Sequence, residues 1–271
     1  MLHGMTVFDA HTHLGTALHS GRKRTVDDVL RDMDHEGVDQ SLVIPFPVVE
    51  DARATHDEIG RAVLRYPDRL RGAACIPPFM PERQYREEVR RCRQEYGFAA
   101  LKLQPQYQAV NPLSARFDYV FESALESGMV MICHTGSGIP FALPSLFMMP
   151  ARRFPELRFV LSHCGGGGIL AGEAIVAASF CPNIYLETST LMPNHVLEVL
   201  AHIAADRVMM GTDLSECMHT EIHKLLGLRL SETSLRMLLA GTALSLFGNA
   251  DAALASSASS SATNDGVGGT A

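Results

Sequence analysis

Short apolar runs rich in Val, Ile, Leu and Phe recur along the chain, and each is followed by a longer segment whose apolar positions return at helical spacing. The runs at 6–13, 40–46, 70–76, 98–104, 129–134, 158–163, 183–188 and 207–212 predict eight strands. The segments between them predict helices over about 25–36, 54–66, 82–96, 114–127, 144–154, 167–180, 193–204 and 216–226, with a last one over 231–247. Thr25, ahead of Val26-Asp27-Asp28, offers a cap and early acids to the free N–H groups of a first helical turn, and Ser114 and Ser231 are placed alike. Eight strands, each followed by a helix, is the count that closes a (β/α)8 barrel of about 250 residues. The expected fold class is therefore α/β, a single-domain TIM barrel over residues 1–249, with an open doubly wound sheet as the alternative. After Asn249 the chain turns to Ala, Ser, Gly and Thr, too little apolar surface to offset ordering entropy, so 250–271 reads as a disordered tail.

Polar residues close several of the apolar runs. The first run carries Asp9, His11 and His13, which in a strand share one face, so that two imidazoles can converge on one cation. Alone, His-x-His reads equally well as two solvated loop histidines. Its company changes that: the fourth run carries Lys102, the fifth ends in His134, the sixth in His163, and the eighth leads into Asp213. In a barrel those ends meet at one mouth, and burying ionisable groups costs several kcal/mol unless they are paired or metal-bound.

Composition narrows the class. The 271 residues are 46% hydrophobic, enough for a large core, and the net charge of -7 argues against binding a nucleic-acid backbone. No apolar run reaches the roughly 18 residues of a membrane span, and the start lacks the basic-then-apolar layout of a secretory signal, so the expectation is a cytoplasmic protein. Its expected partner is a small-molecule substrate, with no nucleic acid and no membrane; homo-oligomerisation is left open. Six cysteines stand without a Cys-x-x-Cys pair, as reduced thiols do, and Cys133 and Cys164 read as packing residues beside their histidines rather than as nucleophiles.

The DAHTH start, the ALKLQPQ run, the ICHTGSG and LSHCGGG turns, MGTD and the closing LLAGTALSLFG together resemble the amidohydrolase superfamily, most of all its amidohydrolase-related branch of metal-dependent TIM-barrel hydrolases and decarboxylases. The resemblance covers residues 5 to 248. It implies that His11, His13, His134 and Asp213 bind a metal and that His163 is a catalytic group beside it. Three imidazoles and a carboxylate suit Zn2+, with Mn2+ or Fe2+ as alternatives. Such a centre would lower the pKa of a water at its open position toward ~7, with Asp213 taking the proton and His163 steadying an oxyanion or protonating the leaving group. In some branches a carbamylated lysine at the position of Lys102 bridges two metals; one metal per chain is the favoured reading, with Lys102 otherwise facing substrate or a nearby acid.

Other features carry less. Glu187 is a candidate to hold His163 or a ligand, or a plain structural carboxylate. Gly165 to Gly168 read as a tight turn rather than a nucleotide cradle, since no G-x-G-x-x-G and no Walker lysine accompany them. His219 and His223 lie one helical turn apart, but HTEIH is not the H-E-x-x-H order, and outer scaffold is the default reading. His19, Arg22, Lys23 and Arg24 form a basic turn that either meets an anionic substrate or is simply solvated. The stretch 139–144 with Phe147, Met148 and Met149 either walls an apolar pocket or packs under the next helix. The remaining histidines, at 3, 35, 56, 195 and 202, read as surface or packing residues.

Three functions remain: hydrolysis of a small amide, cyclic amide or lactone by an activated water; non-oxidative decarboxylation of an aromatic or unsaturated acid; and, in a different class, a silent barrel used for binding.

Overall fold

The structure is a computed structural model and describes residues 4–136, 138 and 140–248. The predicted tail at 250–271, and His3 and Ile139, lie outside the described residues. In chain order the elements are β1 (Phe8–Thr16), β2 (Lys23–Arg24), α1 (Val26–Glu36), β3 (Gln40–Pro45), α2 (Ala52–Arg65), β4 (Leu70–Ala74), α3 (Glu82–Tyr96), β5 (Ala100–Leu103), α4 (Asp118–Glu126), β6 (Val130–His134), α5 (Met148–Arg153), β7 (Phe159–Ser162), α6 (Ala171–Phe180), β8 (Ile184–Glu187), α7 (Pro193–His202), β9 (Val208–Met209), α8 (Met218–Leu226), α9 (Glu232–Arg236) and α10 (Thr242–Phe247). Every predicted strand holds an observed one. The addition is β2, which pairs antiparallel with the end of β1 and folds the 17–22 turn back over the strand ends.

The fold is α/β: one curled sheet in the order β2-β1-β3-β4-β5-β6-β7-β8-β9, parallel from β1 through β9. The eighth predicted strand, 207–212, keeps its ladder to β8 only over Val208–Met209, because the residues that follow bond to β1 instead. Ala10 N–H donates to Met210 O (3.2 Å), Thr212 and Asp213 N–H both donate to His11 O (3.0 and 2.7 Å), and His13 N–H donates to Asp213 O (3.1 Å). The sheet's first and last parallel segments thus share a seam.

The helices start largely where their caps predict. Thr25 and Asp28 form a reciprocal capping box, and Ser231 Oγ accepts from Ser234 N–H at 3.1 Å, whereas Ser114 precedes a short 3-10 turn and makes no side-chain cap bond. The last predicted helix is split into α9 and α10 by a π turn at Met237–Gly241. Within that turn Leu238 O accepts from Met210 N–H (2.9 Å), so a helical carbonyl is diverted to the seam. No helix among the described residues is long and apolar enough to cross a membrane.

Alternation along the strands sorts the core into two layers. Phe8, Leu42, Ile44, Ala73, Ala100, Ile132, Val160 and Met209 face inward, where Ala243 and Phe247 of α10 join them, while Val43, Leu101, Met131, Phe159 and Leu186 face the helices. Counting two residues on from Ala100, Ile132 and Val160 brings Lys102, His134 and Ser162 to the inner face at the strands' carboxyl ends. That is where the chemistry sits.

Candidate metal centre

His11 and His13 converge as the His-x-His spacing requires: their Nε2 atoms are 3.2 Å apart. Asp9 departs from the expected face. The pairing of β1 with β3 shifts by one residue between Asp9 and Thr12, and this bulge breaks the alternation. Asp9 instead accepts from the backbone N–H groups of His11 (3.1 Å) and Thr212 (3.0 Å) and from Thr212 Oγ1–H (2.8 Å). It fixes the seam backbone, and burial pushes its carboxyl up to about 8.

The tautomers of the two imidazoles follow from their outer partners. His13 Nδ1 lies 3.0 Å from Pro45 O, which can only accept, so Nδ1 carries the hydrogen and Nε2 a lone pair. His11 Nδ1 donates to Glu187 Oε2 at 3.0 Å and likewise leaves Nε2 free of hydrogen. Asp213 Oδ1 stands 3.4 Å from His13 Nε2 and 3.7 Å from His11 Nε2. Burial alone would raise the Asp213 carboxyl, but His13, His163 and His11 outweigh it and hold it well below the usual carboxylate range. His11 is held well below the ordinary histidine value, first by burial and then by Lys102 and His13.

Three acceptor atoms therefore face one point, an arrangement that calls for a cation. Bonds of about 2.0–2.1 Å to a tetrahedral zinc ion imply donor–donor edges of about 3.3 Å. The observed edges of 3.2, 3.4 and 3.7 Å bracket that value, so the residues fit such an ion. Phe46 stacks on His13 with ring centroids 5.1 Å apart, which restricts its tilt. Lys102 is buried, and its Nζ lies 3.0 Å from His11 Nε2 and 3.4 Å from Ser162 Oγ; burial lowers its pKa, partly offset by Asp213.

His163 sits on the other side of Asp213, with Nε2 3.8 Å from Oδ1. Ser189 Oγ–H donates to Glu187 Oε2 (2.9 Å), so Ser189 Oγ accepts from His163 Nδ1–H (2.7 Å), and His163 Nε2 is left as an acceptor toward the cavity. Burial brings its pKa down to about 3, which keeps the ring neutral. His163 and Asp213 both hold left-handed backbone, φ 65° and 62°, strain of order 1–3 kcal/mol each that tertiary contacts must offset. Positive φ runs unbroken from His163 through Gly168. Thr135 ties this turn down, donating to Ser162 O (2.6 Å) and accepting from Gly165 N–H (2.9 Å). Gly166 and Gly167 N–H donate to His163 O and Thr190 Oγ1, so the glycine run is a turn and not an anion cradle. Gly136 packs so closely that a Cβ there would lie 2.6 Å from the Gly165 backbone.

A family model described as Amidohydrolase matches residues 8–248. The chain belongs to the amidohydrolase family. No curated protein matches the sequence. Among solved structures, 4-oxalomesaconate hydratase from Rhodopseudomonas palustris is 20% identical with a TM-score of 0.71, covering 94% of this chain and 100% of its own. The 5-carboxyvanillate decarboxylase of Novosphingobium aromaticivorans, complexed with manganese, is 15% identical (TM-score 0.72; 90% of this chain, 96% of its own). An amidohydrolase from Burkholderia multivorans with bound zinc is 13% identical (TM-score 0.72; 90% and 99%). These likenesses establish the fold; they assign no substrate.

The amidohydrolase sheet opens at its carboxyl ends onto a cavity of about 420 Å³ walled by His13, His134, His163 and Asp213 together with residues from four loops. His134 lies across from His163, ring centroids 5.0 Å apart, outside the close trio of His11, His13 and Asp213. From the basic turn, His19 and Arg22 reach the cavity, whereas Arg24 turns away to Asp32 and Ser215. The described part of the 139–144 stretch, with Phe147 to Met149, contributes nothing to its wall: Ala142 and Phe147 are buried. Cys133 and Cys164 are buried with thiols pushed up by desolvation, as packing residues are. Sequence reasoning missed Gln104, Gln106 and Tyr107, which follow β5, and Ser189, which sets the His163 tautomer. Only the position of Gln104, two residues past Lys102 on one strand face, could have signalled them.

Proposed function

We propose that this amidohydrolase is a metal-dependent hydrolase acting on a small amide, cyclic amide or lactone. The proposed scaffold is a closed (β/α)8 barrel, a reading supported by the backbone bonds that join β1 to residues 210–213. The proposed centre takes one zinc-type ion on His11, His13 and Asp213, with His134 as a further ligand from the cavity wall. A divalent ion there would supply Lewis acidity and a nucleophilic hydroxide near neutral pH. The observation that carries the reading is the place of Asp213: its side chain is 32% exposed, against 8% for His13 and none for His11, so the carboxylate is the member of the trio most open to the cavity.

The proton path then follows from the chain's own atoms. The Asp213 carboxylate would accept a proton from an attacking water, and His163 Nε2, an acceptor 3.8 Å from Oδ1, would take it on toward the leaving group. Ser189 and Glu187 keep the His163 ring aimed through that transfer. Gln104 lines the cavity, and its buried side-chain carbonyl, unpartnered among the described residues, would accept a substrate N–H on turning outward, which favours amides over lactones. Decarboxylation is the second reading, favoured by Arg22 and by the His19–Tyr107 stack (centroids 4.4 Å), a wall suited to a carboxylated ring. Turnover in ¹⁸O-water separates the two: label in the organic product supports hydrolysis, whereas CO2 release with no label in the organic product overturns it. His11→Ala should abolish metal retention, and full occupancy in that variant would refute the ligand set.

A further inference from the structure

The histidine pair that the sequence left as outer scaffold acquires a partner in the fold. His219 and His223 face the same side of α8, ring centroids 4.2 Å apart, and both are exposed. Glu36, the last residue of α1, reaches across so that its Oε2 lies 3.0 Å from His219 Nδ1. Its other oxygen is held by His35 Nδ1 at 2.7 Å, which fixes the carboxylate's rotation. One donor atom from each of Glu36, His219 and His223 lies within 4.8 Å of the others. The 3.0 Å contact is a hydrogen bond, so an ion bound to His219 Nδ1 would displace its hydrogen, which the ring can carry on Nε2 instead.

A second buried group makes the contrast. His56, Glu88 and Cys92 are also close, but His56 Nδ1 donates to Glu88 Oε1 (2.9 Å) and its Nε2 accepts from Cys75 N–H (3.1 Å), so both ring nitrogens are consumed. In the α1–α8 group His219 spends only Nδ1, on Glu36, and both rings are exposed to solvent and to an incoming ion.

We propose that Glu36, His219 and His223 form a surface site for a borderline divalent cation of the zinc type, which staples α1 to α8 across the seam between β1 and the end of the sheet. Two imidazoles and one carboxylate select zinc, nickel or copper over magnesium or calcium. The bridged residues lie 183 positions apart in sequence, so the ion closes a long loop and adds to stability by constraining the unfolded chain. This site is independent of the hydrolase reading and of the centre that contains His11.

The test is zinc titration, followed calorimetrically, into protein purified with its resident metal. The wild type should take up an additional equivalent and gain about 5–10 °C in Tm at zinc roughly a hundredfold above Kd. His219→Ala, His223→Ala and Glu36→Gln should each weaken that uptake at least about tenfold without altering turnover, and His13→Ala should retain it. The site is overturned if no additional equivalent binds at millimolar zinc or if uptake is indifferent to the three surface substitutions. Binding without a rise in Tm overturns the staple.

Discussion

Glu187→Gln tests whether a buried carboxylate that touches no substrate governs the centre. Glu187 is fully buried, and its Oε2 accepts from His11 Nδ1–H (3.0 Å), His163 backbone N–H (3.2 Å) and Ser189 Oγ–H (2.9 Å), while Oε1 accepts from Ser189 N–H. It accepts four hydrogen bonds and donates none. Glutamine keeps the shape but turns one acceptor into a donor. With its NH2 at the Oε2 position, three donors would face a fourth and His11 would be driven to its other tautomer, which puts a hydrogen on Nε2. The cheaper arrangement sets NH2 against Ser189 N–H and keeps the three bonds at Oε2 as neutral ones, each about half as strong. Losses at such outer partners run to about 10–100-fold in metal affinity, or about 1.4–2.7 kcal/mol. Stability should hardly change, because the described residues give Glu187 no Lys or Arg ion pair, and removing an unpaired buried charge offsets the lost bond. Chelator competition measures the affinity, and circular dichroism the melting temperature. Metal retention equal to the wild type in a folded variant would refute the orienting role.

His163→Asn should keep the metal and lower turnover by about 10²–10⁴-fold, measured by metal analysis beside steady-state kinetics; loss of a metal equivalent would instead point to a second ion held with Lys102. Burial alone would raise Glu88, but bonds to His56 and Arg91 bring it down to about 2. With a folded pKa below the ordinary 4.5, its contribution of roughly 3 kcal/mol is present above about pH 4.5 and lost as pH falls toward 2. Glu88→Gln should therefore flatten the acid limb of a stability–pH curve from denaturant melts, and an unchanged limb counts against the network. Phe121→Ala, at a fully buried ring flanked by Phe154 and Phe159 at 5.8 and 5.7 Å, should cost about 3–5 kcal/mol in urea unfolding, with a loss under 1 kcal/mol contradicting the packing.

The parts of this molecule visible in its sequence are those governed by local periodicity. Alternation placed Lys102 and His134 on the inner face, and two-residue spacing brought His11 and His13 together, because strand geometry acts over a few residues. Asp9 shows where that logic stops: its face was set by a one-residue bulge and by Thr212, a contact between opposite ends of the chain. Ser189 was invisible for the same reason, since its meaning depends on Glu187 and His163 arriving beside it. The end of the last strand was overrun by one residue class the pattern cannot see, a backbone that changes partners from β8 to β1. Glu36 beside His219 is likewise a product of α1 and α8 meeting at the seam.

The seam also sets a timetable. Asp9 and Thr212 lie 203 positions apart, and they adjoin the proposed ligands His11 and Asp213. A ribosome adding about 5–20 residues per second needs roughly 10–40 s to make that stretch, and during all of it the two histidines are exposed on a strand with one edge unpaired. A complete proposed centre therefore cannot form before the segment carrying Asp213 has been made. The proposed centre waits for that segment to dock, and a product truncated ahead of it lacks both the carboxylate and the edge that would hold it.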